Sequence, residues 1–340
     1  MQIALDAMGG DHGMEELIEG ALHAVSEQAD VRVSLVGDET QLQSFLESKK
    51  YPTDVISRID VVHSSQVVGM DEPPVEAMRR KKDSSIMVAF DLVSRNEADA
   101  VVSAGNSGAT MAAAIRKLKR LKNVSRPGIA SAFPTLKKPV IIMDVGANVD
   151  CKPIHLYQFA VMASEFAQIY DVSNPRVGML SNGEEVGKGN SLVKETYALL
   201  DNSSLNFAGN VEGRDVFRGE VDVIVCDGFV GNICLKVSEG LAEAAMMMLK
   251  DEIIQSTAAK VGYLLAKPAF NAFKKRVDYA EYGGASLLGI NGICIICHGK
   301  SSSYAIKNAI LEAAKMVKSN VNERIVEKLT ADKARVAKET

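Results

Sequence analysis

Tryptophan is absent from the 340 residues, and aromatic residues make up only 5%. Binders of single-stranded nucleic acid interleave aromatic platforms with cations, so this scarcity argues against that class. Net charge is −4, from 39 Lys and Arg against 43 Asp and Glu, and gives no basic footprint for nucleic acid. No apolar run reaches the roughly 18 residues that a transmembrane helix requires. The opening MQIALDAMGGDHG lacks the basic stretch, apolar core and cleavage site of a secretory signal. A cytoplasmic location is therefore expected. Hydrophobic residues at 47% and charged residues at 24% are ordinary for a folded globular chain and exclude a disordered one.

Cysteine is scarce and odd in number: Cys151, Cys226, Cys234, Cys294 and Cys297. That is no disulfide framework. Cys294-Ile-Ile-Cys297-His298 formally matches a c-type haem attachment site. It reads better as a buried strand, GICIICHG, in which thiols serve as small apolar side chains. No second ligand pair stands at zinc spacing, so no metal and no cofactor are expected. The Gly-Gly-Asp of the N-terminal loop is not a G-x-G-x-x-G dinucleotide fingerprint.

What the chain does have is alternation. Short apolar runs begin at Ile3, Val31, Arg58, Ala98, Gly128, Pro139, Pro175, Leu205, Val221 and Gly292. Segments of helical spacing lie between them, such as MEELIEGALHAVSEQ and HLYQFAVMASEFAQIY. The pattern predicts an α/β fold, a mainly parallel sheet with helices on both faces. Residues 1–330 read as one large α/β unit and 331–340 as a polar tail. Residues 238–276 hold no strand and read as a projecting helical segment broken near Pro268.

Glycine clusters fall just after strands and before helices, where ligands bind in open α/β sheets. Backbone N–H groups turned outward there, beside a helix N-terminus, suit an anion. The first cluster carries Asp6, Gly9, Gly10 and His12. Then come Gly105-Asn106-Ser107-Gly108, and Asn148 with Asp150. Asn182, Glu185, Gly187 and Lys188 lie in a loop that resembles a P-loop at first sight. Three residues rather than four separate its glycines, and Gly189 stands where Ser or Thr would hold Mg²⁺. Asn210 and Glu212 follow, then Asp227-Gly228 with Asn232, and Lys236 one helical turn on; His298 closes the last strand. Taken as equivalent strand ends, these loops predict one long cleft for a phosphate-like anion.

As a set, ALDAMGGDHG, DEPPVEAMRRKKDSS, SAGNSGA, DVGANVDCKP, LSNGEEVGKGN, NVEGRD, CDGFVGN and YGGASLLGINGICIICHG resemble the bacterial phosphate acyltransferases of phospholipid synthesis. These are the acyl-carrier-protein:phosphate acyltransferases, and the likeness covers nearly the whole chain. It implies a fold related to phosphotransacetylases and isocitrate- or isopropylmalate-type dehydrogenases. It implies transfer of long-chain acyl groups from acyl carrier protein to inorganic phosphate, giving acyl phosphate for phospholipid synthesis. A homodimer, peripheral contact with the inner face of the cell membrane and a downstream glycerol-3-phosphate acyltransferase are implied too.

Within that reading Lys188, Asn232 and His12 are the candidate catalytic residues, and the remaining loop residues named above bind substrate. Val261, Leu264, Leu265 and Phe270, flanked by lysines, have the composition of an interfacial membrane helix. Arg79-Arg80-Lys81-Lys82 and Arg116, Lys117, Lys119, Arg120 and Lys122 suit an acidic carrier protein. Three alternatives remain: a short-chain phosphotransacetylase using acyl-CoA, a nicotinamide-linked dehydrogenase, and a non-catalytic membrane scaffold for the carrier.

Overall fold

The computed structural model describes residues 1–277 and 279–339. In chain order the first half comprises β1 (Gln2–Asp6), α1 (Met14–Glu27), β2 (Arg32–Gly37), α2 (Glu39–Ser48), α3 (Thr53–Ile56), β3 (Ile59–His63), α4 (Pro74–Arg80), α5 (Ser85–Ser94), β4 (Ala100–Ser103), α6 (Ser107–Leu118) and β5 (Gly128–Phe133). The second comprises β6 (Val140–Met143), α7 (Pro153–Ala167), β7 (Arg176–Leu180), α8 (Ser191–Asp201), β8 (Asn206–Val211), β9 (Val223–Val225), α9 (Gly228–Gln255), α10 (Thr257–Val277), β10 (Ala285–Leu288), β11 (Ile293–Ile296), α11 (Ser303–Lys318) and α12 (Val321–Glu339).

All strands join one eleven-stranded sheet in the order β3-β2-β1-β4-β11-β10-β5-β6-β9-β7-β8. The α/β class with a mainly parallel sheet covered on both faces is therefore observed. Strands β4, β6, β9 and β11 are buried along their whole length, which is why they read as continuous apolar runs. Helices α1, α7 and α11 seal one face around Phe159, Phe166 and Ile306, and α5 and α6 seal the other around Phe90.

The pairing signs divide the sheet. β3, β2, β1, β4 and β11 are mutually parallel, and so are β6, β9, β7 and β8. Between them, β10 is antiparallel to β11 and to β5, and β5 is antiparallel to β6. The two parallel blocks run in opposite directions. Their loops are therefore not equivalent strand ends, as the alternation alone suggested. The two antiparallel pairings of β10 cancel, so the reversal is made between β5 and β6. Strand β10 is only four residues long, inside the glycine-rich run 283–289, and gave no strand pattern.

The helical segment also differs from expectation. The break between α9 and α10 falls at Ser256, in extended conformation, whose side chain accepts the Ala259 N–H. Pro268 sits inside α10. It is solvent-exposed, where water can serve the carbonyl that proline leaves without a donor. Helix α12 extends through residues 331–339 of the polar segment, and Thr340 lies outside the described residues. Among the described residues no helix is long and apolar enough to cross a membrane.

Helix α9 enters the fold through a close backbone contact. A Cβ on Gly231 would stand 1.9 Å from the Asp144 carbonyl oxygen. Gly262, on α10, has nothing within 4 Å of its Cβ position. Gly231→Ala should therefore cost about 1–3 kcal/mol through overpacking. Gly262→Ala should stabilise by about 0.5–1 kcal/mol through helix propensity. Urea unfolding midpoints test the pair, and equal midpoints for the two variants would contradict it.

Candidate functional site

The glycine loops gather into two clusters, one per parallel block. The first joins the ends of β1, β4 and β11. Asp6, ending β1, is 2% exposed. Its Oδ2 accepts the Ser103 Oγ–H at 2.8 Å, and Oδ1 accepts the Met8 N–H at 3.4 Å. Burial pushes this carboxyl above the usual carboxylate range, while hydrogen bonds from Ser85 and Ser103 pull it back. A Cβ on Gly9 would lie 2.7 Å from the Gly105 nitrogen, so the two loops touch backbone to backbone. Gly10 takes φ +92°, and the next N–H, of Asp11, donates to the Gly299 carbonyl at 2.7 Å.

Asn106 caps α6 by accepting the Ala109 N–H at 3.0 Å. Its amide donates to the Met70 and Glu72 carbonyls at 2.7 and 3.0 Å. Asn106 thus anchors the loop before α4, and Ser107 is the exposed hydroxyl of this turn. The N–H groups of Ser107 and Gly108 donate to no protein acceptor among the described residues. His12 and His298 are both exposed at this cluster, and His298 Nδ1 accepts the Lys300 N–H at 3.1 Å.

The second cluster joins the ends of β6, β7, β8 and β9. Its centre is Asp144, fully buried. Oδ1 accepts N–H groups of Ile129, Gly146 and Ala147 at 3.0, 3.1 and 3.0 Å. Oδ2 accepts the Asn148 N–H and amide at 2.7 and 2.8 Å. Burial raises this carboxyl's pKa and the donors oppose the rise. The Asn148 amide also donates to the Pro127 carbonyl at 2.7 Å, and its own carbonyl accepts the Gly228 N–H at 2.8 Å. Asn148 is thereby a structural pin. Asp227 likewise caps α9 through the Phe229 and Val230 N–H groups. Asp150 is exposed, and its carbonyl accepts from Arg126. Asn232 is exposed beside Gly146, whereas Lys236 is paired with Glu239 at 2.8 Å.

The loop between β7 and α8 is closed by Asn182, whose Oδ1 accepts the Gly189 N–H at 2.9 Å. Gly187 and Gly189 take φ +93° and +91°, the left-handed region that glycine adopts without strain. The N–H groups of Gly183, Glu184, Glu185, Val186 and Gly187 donate to no protein acceptor among the described residues. Lys188 is exposed and has no ion pair there. Asn210 holds this loop by donating to the Glu185 carbonyl at 3.0 Å. Its buried Oδ1 and the Ser181 Oγ have no hydrogen-bond partner among the described residues.

Two features escaped the sequence reading. Asp144, like Asn148 and Asp150 of the same strand-end loop, reads from sequence as a turn former or a substrate contact and not as a buried hub, although an Asp directly after an apolar strand and before Val-Gly-Ala-Asn is a usable signal. Glu184, Glu212 and Asp215 bring carboxylate oxygens within 4.8 Å of one another. Arg214 meets Glu212 at 2.8 Å and Arg218 meets Asp215 at 2.9 Å, so arginines supply cations there. At Cys294 and Cys297 both thiols are buried, and burial pushes Cys297 up to about 12.

A family model described as fatty acid synthesis protein matches residues 1–324. The chain is 57% identical over 330 residues to the phosphate acyltransferase of Geotalea uraniireducens, covering 97% of this chain and 94% of that protein. It is 55% identical over 333 residues to that of Geobacter sulfurreducens, covering 98% and 95%. Among solved structures, a phosphotransacetylase from Streptococcus pyogenes aligns with TM-score 0.64 at 17% identity, covering 94% of each chain. The EutD phosphotransacetylase of Staphylococcus aureus aligns with TM-score 0.60 at 18% identity, covering 93% and 94%. These structural likenesses speak to the fold.

The buried Asp6 has a consequence for pH. A carboxyl raised in the folded state stabilises fully below its unfolded pKa, about 3.9, and that contribution is lost as pH rises through the folded value. Asp6→Asn removes this loss. Its melting temperature relative to the parent should climb as pH rises above about 4. Parallel melting curves from acid to neutral pH would contradict the assignment.

Proposed function

The chain belongs to the phosphate acyltransferase family, and from that premise we propose that it transfers a long-chain fatty acyl group from acyl carrier protein to inorganic phosphate. The product, acyl phosphate, serves phospholipid synthesis and is consumed by a glycerol-3-phosphate acyltransferase on the way to phosphatidic acid. The observation that carries the reading is the loop from Asn182 to Gly189, with five uncommitted N–H groups beside an unpaired Lys188. Such a cradle suits an oxyanion.

The two clusters leave oppositely directed blocks of the sheet, yet they can serve one cleft. Neighbouring strands twist by about 20–25° at each step. At that average the six steps from β1 to β9 would accumulate about 120–150°, enough for the two sets of carboxyl ends to share a side, and the proposed single cleft rests on that twist. Phosphate is already an anion at neutral pH, so the site needs no strong base. Lys188 and the loop amides hold it in this reading, and Ser107 with the first turn of α6 supplies further donors from the first cluster. A phosphate oxygen attacks the thioester carbon, the carbonyl oxygen takes up charge, and the C–S bond then breaks. Asn232 or His12 polarises that carbonyl. The thiol leaving group, with a pKa of about 8.5, needs little help, and His12 or His298 supplies its proton.

The α9–α10 hairpin supports the homodimer and membrane readings. Phe229, Ile233, Val237 and Leu241 are exposed at four-residue spacing along α9, one stripe suited to a second copy of the chain. Near the turn, Val261, Leu264 and Leu265 are exposed, with Leu265 at 81%. Phe270 is half-buried against Tyr263, ring centroids 5.0 Å apart, so Phe273 is the exposed phenylalanine of this helix. Lysines at 260, 267, 274 and 275 flank these residues, as an interfacial helix requires at an anionic membrane face.

Purified protein given palmitoyl carrier protein and phosphate should yield acyl phosphate, trapped as hydroxamate with hydroxylamine. Product formed only with short-chain acyl-CoA would favour the phosphotransacetylase reading. No product with any donor would favour the scaffold. Lys188→Ala should raise the phosphate KM about 10–100-fold, the loss of a charge-assisted hydrogen bond. An unchanged phosphate dependence would remove Lys188 from that role. Leu264→Glu with Leu265→Glu should release the protein from anionic vesicles, and retention would move the membrane contact elsewhere.

A further inference from the structure

We infer that the face formed by α4 and the C-terminal half of α6 is the docking surface for the acidic carrier protein, an inference that rests on the donor reading above. The two helices lie together, since Gly108 meets the Pro74 ring and Arg116 Nη1 donates to the Met78 carbonyl at 3.2 Å. On α4, Val75 and Arg79 stand one turn apart, and Val75 is 69% exposed. On α6, Ile115 and Arg116 are exposed, and Lys119 follows at the helix end. Arg79, Arg116 and Lys119 have no ion pair among the described residues. Arg80 meets Glu76 only at 3.9 Å, both largely exposed.

Not every cation of the two basic runs belongs to this face. Lys81 is tied to Glu72 and to the Val67 carbonyl, and Lys117 to Asp91. What remains is a set of uncompensated guanidinium and ammonium groups around exposed Val75 and Ile115, on a chain of net charge −4. Apolar centres ringed by arginine are the anatomy of a protein interface. An acidic partner gains association rate and orientation there.

Position supplies the second argument. The first turn of α6 presents the free N–H groups of Ser107 and Gly108 at the first loop cluster. Arg116 lies nine positions after Ser107 on the helix, a rise of about 14 Å. A carrier docked on the basic end thus sits beside the site without filling it. Its thioester, carried on a flexible arm, can follow α6 to the loop cluster. Asn106 fixes this geometry, because its amide ties the α6 cap to the loop that leads into α4.

The test compares two donors of one acyl group: palmitoyl carrier protein, and palmitoyl-pantetheine, which has no protein part. Arg79→Glu, Arg116→Glu and Lys119→Glu, singly and together, should raise KM for the carrier about tenfold or more. Turnover of palmitoyl-pantetheine should stay within about twofold, since no interface is lost there. Added salt should raise the parent's carrier KM and hardly move the triple variant's. An equal loss on both donors, with unchanged melting temperature, would place these residues in service of the site and overturn docking. An unchanged carrier KM would move the interface elsewhere. Loss of vesicle binding with an unchanged carrier KM would make the face a lipid contact. Parent protein that uses palmitoyl-pantetheine but never the carrier would overturn the donor reading, and the docking inference with it.

Discussion

The carboxylate of Asp144 is the interaction on which the second half of the molecule depends. A buried carboxylate is costly unless donors replace its water, and here five do. Those donors come from β5, from the loop after β6 and from Asn148. Through Asn148 the network reaches the Pro127 carbonyl and the first residue of α9. One anion therefore sets the relative positions of two antiparallel strands, a loop and the longest helix. Any change that removes a donor without removing the charge leaves part of the desolvation cost unanswered. Gly231, pressed against the Asp144 carbonyl, allows α9 to approach that closely.

Asp6 plays the corresponding part in the first half, with fewer donors. It sits at the end of β1 as Asp144 sits just beyond β6, and each is followed by a glycine-containing turn. The difference is one of saturation. Asp144 is ringed by backbone N–H groups, whereas Asp6 relies on serine hydroxyls and more distant amides. The first cluster is accordingly held more by loop-on-loop contact. Gly9 lies against Gly105, Asp11 is bonded to Gly299, and Asn106 reaches back to Met70 and Glu72. In each half some loop amides stay without a protein acceptor among the described residues, those of Ser107 and Gly108 in the first and of residues 183–187 in the second.

The strands that lie in the buried middle of the sheet were legible because burial on both faces writes a continuous apolar run. β10 was not, since four residues between glycines do not make a pattern, and the reversal that divides the sheet lies in the antiparallel pairing of β5 with β6, which a list of apolar runs does not reveal. Helix α9 was legible as a long helix but not in its end. Ser256 is an ordinary polar residue until its side chain is seen capping α10, whereas Pro268 is a conspicuous breaker that an exposed helix tolerates. At the loops, residue type indicated where polar chemistry gathers but not how it is divided. Asn106 and Asn148 have the same amide as Asn232, yet their hydrogen bonds are spent inside the protein. Only partners distant in sequence, Met70 and Glu72 for one and Pro127 for the other, decide that. The carboxylate group of Glu184, Glu212 and Asp215 was hidden for the same reason, as it forms across β7 and β8.

This division between spent and unspent polar groups bears directly on catalysis by a phosphate acyltransferase. Charge developing on a thioester oxygen, or brought in by phosphate, is stabilised most by dipoles that need not reorganise. Loops whose side chains are committed to holding the backbone meet that requirement. Asn182 and Asn210 fix the loop that carries Lys188, and the free N–H groups of residues 183–187 are held in place by those two amides. Rigidity of the loop and availability of its donors thus have one cause. In the reaction proposed above, Lys188 adds to this cradle an exposed ammonium on a four-carbon stem.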